Sequence, residues 1–132
     1  MERLKLAIID SNTLSVLGLK HILQNVMPIV KVESFYSFDE FESQEPEQFA
    51  HLFVAMNIIL DNRAFFLEHV RRTIVLTTSQ DSQMRGFKCI CINVPEKQLI
   101  RSLLVMHSGG HPKGANLPQL PECLSRQILT NR

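Results

Sequence analysis

The run Leu4-Lys5-Leu6-Ala7-Ile8-Ile9-Asp10, followed by Ser11-Asn12-Thr13, decides how the rest of the chain is read. It is short and mostly apolar, and it stops abruptly at a polar cluster. That pattern suits a strand buried on both faces, followed by the oxygen-bearing residues that cap a helix. The segment from Leu14 to Val26 then places Val16, Leu19, Leu23 and Val26 on one helical face. Pro28 ends that helix, and Val30 to Phe35 reads as a second strand.

The same alternation continues along the chain. Ser37 to Gln48 is acidic and polar, with Phe38 and Phe41 as anchors for a short helix. Phe49 to Ile59 is the most apolar run, and its length favours a buried central strand, although periodicity alone leaves a helix open. Arg63 to Arg72 supplies a third helix through Phe65, Phe66 and Val70. Thr73-Ile74-Val75-Leu76-Thr77 is a β-branched strand. Ser79 to Arg85 is polar, so an element there is short and exposed. A strand from Phe87 to Ile92 follows, and Pro95 opens a last helix carrying Leu99, Leu103 and Met106. Strand and helix alternating five times imply a parallel sheet covered on both faces, doubly wound through right-handed crossovers. From Ser108-Gly109-Gly110 onward the composition changes to that of a linker, with Pro112, Pro118 and Pro121 keeping the chain extended.

Bulk properties narrow the function classes. With 132 residues the chain holds one ordinary domain, and its 45% hydrophobic and 20% charged residues are a globular balance. A net charge of +1 creates no global field for nucleic acid or an anionic membrane. No apolar run approaches the roughly 18 to 20 residues a bilayer span needs. Met1-Glu2-Arg3-Leu4 lacks the regions of a signal peptide, so a cytoplasmic protein is expected. Cys89, Cys91 and Cys123 are an odd number, which disfavours a disulfide framework. Cys89 and Cys91 alternate on one strand face and read as small buried residues, since no second ligand pair stands at zinc spacing.

Ile8-Ile9-Asp10-Ser11-Asn12-Thr13-Leu14 followed by Gly18-Leu19 resembles the opening of receiver domains in bacterial response regulators of the NarL/LuxR type. In that family the first strand ends in two acidic residues and the first helix carries a Gly-Leu pair. Ile128-Leu129-Thr130-Asn131-Arg132 looks like the first residues of a LuxR-type helix-turn-helix domain. The resemblance implies a flavodoxin-like, five-stranded receiver over residues 1–107. A linker over 108–128 and the first residues of a DNA-binding domain over 129–132 would follow.

A working receiver needs three carboxylates that hold Mg²⁺, one of them the phosphoryl acceptor, together with a hydroxyl and a lysine. Carried over position by position, the resemblance gives a poor inventory. Asp10 fills the first acidic position, but Ser11 replaces its acidic neighbour. The acceptor falls on Ala55, or on Met56 if the register slips by one, and neither can be phosphorylated. Thr77 takes the hydroxyl position, with Thr78 as the other register. The lysine position maps on Ile92, between Cys91 and Asn93, while Lys88 lies at the wrong end of its strand. Asp61 follows the central strand by six residues, far from the acceptor position if the chain stays extended.

Other constellations add little. Asp10 or Ser11 reads as a helix cap, and a single carboxylate with Asn12 nearby is a weak metal site. His107 and His111 bracket a flexible stretch, and Arg71-Arg72 reads as a solvated loop before a strand. Neither a phosphate-binding glycine loop nor a nucleophile elbow occurs. The expectation is therefore a regulatory module and not an enzyme, with no phosphoacceptor, metal or cofactor. It would act as a homodimer, through a protein partner, or with DNA through a helix-turn-helix domain. The alternative is a small-molecule or metal sensor using the degenerate pocket of Asp10, Ser11, Asn12, Ala55 and Thr77.

Overall fold

The computed structural model describes residues 4–80 and 84–108, with side chains described through Met106. The opening run forms β1 (Lys5–Ile9), in which Leu6 to Ile9 are all buried. Its neighbours are β2 (Lys31–Phe35) and β3 (His51–Ala55), both parallel to it. A strand paired along both edges and covered on both faces has little room for polar side chains, hence the unbroken apolar run. With β4 (Thr73–Thr77) and β5 (Lys88–Cys91), the strands form one parallel sheet in the order β2-β1-β3-β4-β5. That order belongs to the flavodoxin-like doubly wound class expected from the sequence. Two compact units divide after Val75, within β4.

In the first unit, α1 (Thr13–Val26) buries Val16, Leu19 and Leu23 as their spacing predicts. The cap is a correction: neither Asp10 nor Ser11 holds the helix amides. Asn12 does so, its side chain accepting from the Ser15 amide at 3.1 Å. α2 (Phe38–Glu42) begins with a reciprocal cap. The Ser37 hydroxyl accepts from the Glu40 amide at 3.2 Å, while the Glu40 carboxylate accepts from the Tyr36 amide at 2.8 Å. Phe41 is fully buried, and its ring lies 5.6 Å from Phe35, 5.9 Å from Phe49 and 5.8 Å from Phe65. Edge-to-face packing of this kind adds to the gain from burying the rings.

The central apolar run is not one strand. β3 stops at Ala55, and α3 (Met56–Asp61) begins at the next residue, burying Ile58 and Ile59. On the β1 edge, pairing with β3 ends at Ile9 with Val54, so no ladder with β1 competes with helical bonding beyond that point.

The third helix is likewise not continuous over 63–72. α4 (Arg63–Leu67) is separated from α3 by Asn62, whose backbone (φ −135°, ψ 46°) leaves the helical region. The Asn62 amide group donates to the Ile58 carbonyl at 2.9 Å, closing α3. Phe66 is fully buried as an anchor, and the segment finishes in a 3-10 turn at Val70–Arg72.

In the second unit, β5 carries Cys89 and Cys91, both buried and free. α5 (Glu96–Ser108) starts directly after Pro95, whose carbonyl accepts from the Gln98 and Leu99 amides. It buries Leu99, Ser102 and Leu103. Between β4 and β5, where the sequence suggests a short exposed element, no helix occurs among the described residues 78–80 and 84–87. Gly86 (φ 90°) instead turns the chain into β5. The expected linker and DNA-binding fragment lie outside the described residues, apart from Ser108 at the end of α5.

Candidate functional site at the carboxyl ends of the strands

The first unit places Asp10 and Ala55 one position beyond the last register pair of β1 and β3, Ile9 with Val54. Their side chains therefore leave neighbouring strand ends at the same level. Asp10 is buried, and its backbone amide donates to the Phe35 carbonyl at 3.1 Å. One carboxylate oxygen accepts from the Asn12 amide at 3.0 Å, which tightens the turn into α1. Asp10 thus supports the cap without being it. Ser11 is exposed.

Ala55 is 8% exposed and occupies the cap position of α3 with an extended backbone (φ −63°, ψ 143°). It offers α3 no side-chain cap. Asp61 is exposed at the far end of α3. Because residues 56–61 are helical, the extended-chain spacing assumed for Asp61 is too long. A helical rise puts it only about 9 Å along the axis from Ala55.

The second unit places Thr77 and Ile92 at the ends of β4 and β5. The Ile92 amide donates to the Thr77 carbonyl at 2.8 Å, and the Thr77 hydroxyl donates to the Ile90 carbonyl at 3.4 Å. Thr77 is buried, and its hydroxyl serves the sheet. Ile92 is half-buried, Asn93 is exposed, and Lys88 lies exposed at the opposite end of β5. Among the described residues, no three of His, Cys, Asp and Glu converge to hold a metal ion. No helix among them is long and apolar enough to cross a membrane.

Two features escaped the sequence reading. Asn12 is one of four consecutive polar residues, Asp10 to Thr13, and only the backbone decides which of them caps. Arg72 is not a solvated loop residue. Its guanidinium donates to the carbonyls of Pro46 and Phe49 and to Nδ1 of His69, and burial pushes its pKa down, opposed in part by Glu47. Arg71 is exposed as expected.

No family model matches this chain, and no characterised sequence does either. Solved structures do. The signal receiver domain of a DNA-binding response regulator (merR) from Colwellia psychrerythraea matches with a TM-score of 0.59 at 12% identity, over 80% of this chain and 98% of that one. The receiver domain of RcsB from Salmonella enterica serovar Typhimurium, with the phosphomimetic BeF3⁻, matches at 0.66 and 13% identity, over 96% and 99%. The chain has the receiver fold. A Salmonella typhimurium RcsB structure matches at 0.71 and 15% identity, over 98% of this chain and 67% of that one. RcsB bound to the rprA promoter matches at 0.68 and 13% identity, and there the chain spans 65% of the longer protein.

Proposed function

We propose that this chain is a receiver-type regulatory module that takes no phosphoryl group and signals by docking to a second copy, a protein partner or an attached DNA-binding domain. The observation that carries the reading is Ala55. It ends β3, level with Asp10, and a buried methyl group there leaves no nucleophile. The chemistry at the other positions the resemblance implies agrees. Ser11 brings no second charge for a divalent cation, Thr77 is tied to Ile90, and Ile92 supplies no ammonium group. The likeness to RcsB, one structure of which holds promoter DNA, supports a role in transcriptional regulation. DNA contact would belong to residues beyond the receiver fold.

The test is treatment with acetyl phosphate, or with beryllofluoride, in the presence of Mg²⁺. The expected result is no added mass and no change in melting temperature. A covalent phosphate adduct on Asp10 or Asp61 would sink the reading. Light scattering over a concentration series tests docking to a second copy. A saturable stabilisation by a metabolite, mapped to Asp10, Asn12 and Ala55, would favour a sensor instead.

A further inference from the structure

The first unit holds a second concave feature, at the opposite ends of the strands from Ala55. It is an open cleft of about 570 Å³ where β3 begins and where the 3-10 turn Val70–Arg72 leads into β4. Ala50, Leu67 and Val70 give it apolar walls, and His69, Arg71 and Arg72 bring the polar groups. Its size falls within the range of small-molecule sites.

The polar groups are donors. A guanidinium has five N–H groups and no acceptor. Arg72 uses three, on the carbonyls of Pro46 and Phe49 and on Nδ1 of His69, which leaves two. Because arginine can only donate, Nδ1 of His69 accepts and the ring proton sits on Nε2, another donor. The His69 ring is held by Phe65, 4.4 Å away between centroids. Arg71 adds an exposed guanidinium. Among the described residues, no carboxylate stands within ion-pair distance of Arg71 or Arg72. The lining of the cleft carries two guanidiniums against one carboxylate, Glu68, with Glu47 acting on Arg72 from outside the lining. Arg72 feels the charge of Glu47, but with no carboxylate in direct contact its part-buried guanidinium is fixed by the carbonyls and keeps donors free for an anion.

We infer that this cleft binds a small molecule through a phosphate or carboxylate group, held by Arg71 and Arg72 with the Nε2–H of His69. The organic portion would lie against Leu67 and Val70. This goes beyond the docking reading and does not depend on it.

The experiment titrates the intact chain with inorganic phosphate, glycerol 3-phosphate and succinate, each against sodium chloride at matched ionic strength. Thermal shift and amide chemical shifts are followed together. The expected result is a saturable rise in melting temperature for at least one anion. Its amide changes should centre on 50–51 and 67–72. Arg71→Glu should weaken that binding at least about tenfold while melting like the parent in chloride, since Arg71 is exposed. Arg72→Lys, which keeps the charge but loses the fork, should weaken binding as well. Three results overturn the inference: no response beyond chloride, changes centred on Asp10 and Ala55, or an unaltered response in Arg71→Glu.

Discussion

Placing a carboxylate at residue 55 tests the geometry of the strand ends directly. In Ala55→Asp the new side chain leaves β3 level with buried Asp10 on β1, because the register pairs Ile9 with Val54. Adjacent strands lie about 4.8 Å apart, so the two carboxylates would be separated by about 6 Å. At an effective dielectric of about 20, their repulsion is about 3 kcal/mol. Ala55→Asn is the matched control. It has the same shape and can supply the cap that α3 lacks, a gain of about 1 kcal/mol common to both variants. At pH 7 the aspartate variant should therefore be about 3 kcal/mol less stable than the asparagine variant in urea unfolding followed by circular dichroism. The sign with pH is fixed by the like charges. The folded pair holds a proton more tightly than the unfolded chain does, so the deficit is absent near pH 3.5. It grows as pH rises from about 4 and is complete above about 6. Millimolar Mg²⁺ should recover part of the deficit in the aspartate variant alone, because two carboxylates with water can hold that ion. Equal stability of the two variants at pH 7 would refute the reasoning, since positions 10 and 55 would then not share one space.

Asn12→Ala removes the side-chain acceptor at the start of α1 and should cost about 1 kcal/mol in urea unfolding, whereas Ser11→Ala, at an exposed position, should change stability by less than about 0.5 kcal/mol. Phe41→Ala empties the centre of the phenylalanine cluster and should cost about 3 to 5 kcal/mol, read from the same unfolding curves. Leu14 and Leu17 are 82% and 59% exposed on α1, so Leu14→Glu with Leu17→Glu should leave the urea midpoint of the monomer nearly unchanged. If α1 carries the contact between copies, light scattering should show the double variant dissociating at concentrations where the parent associates.

The parts of the fold legible in the sequence were those whose signals agreed with one another. β1 ends at a polar cluster, α1 follows with a clean apolar stripe, and Pro28 closes it. The run from Phe49 to Ile59 was illegible for a specific reason. Buried strand and buried helix use the same residues, and the boundary at Ala55 falls one residue past the last pair with β1, a strand more than forty residues earlier. Distance also hid the role of Arg72, whose carbonyl partners Pro46 and Phe49 lie 26 and 23 residues away. The candidate positions at Asp10, Ala55 and Thr77 lie at or next to strand ends, as the resemblance implied. Their contacts were not legible: Asp10 buttresses a cap made by Asn12, and Thr77 bonds across to Ile90.

On the proposed reading, the absence of a nucleophile at residue 55 changes what a signal must do. A receiver that is phosphorylated acquires new charge-assisted contacts in one of its states, and those contacts shift its population. With a methyl group there, the differential has to come from a bound molecule or from assembly. Turning a 1:99 equilibrium into 99:1 requires about 10⁴-fold preference for one state, more than a loosely held surface ligand provides. Assembly reaches a comparable shift through concentration, because each new contact between copies is made only by the docking-competent state. An anion in the cleft between Ala50 and Arg72 could then act in a graded way, biasing that equilibrium by whatever preference it has for one conformation. Linkage makes the two contributions separable. If the anion favours the assembled form, assembly must tighten anion binding by the same factor; if the two are independent, anion affinity will be flat across the concentration series.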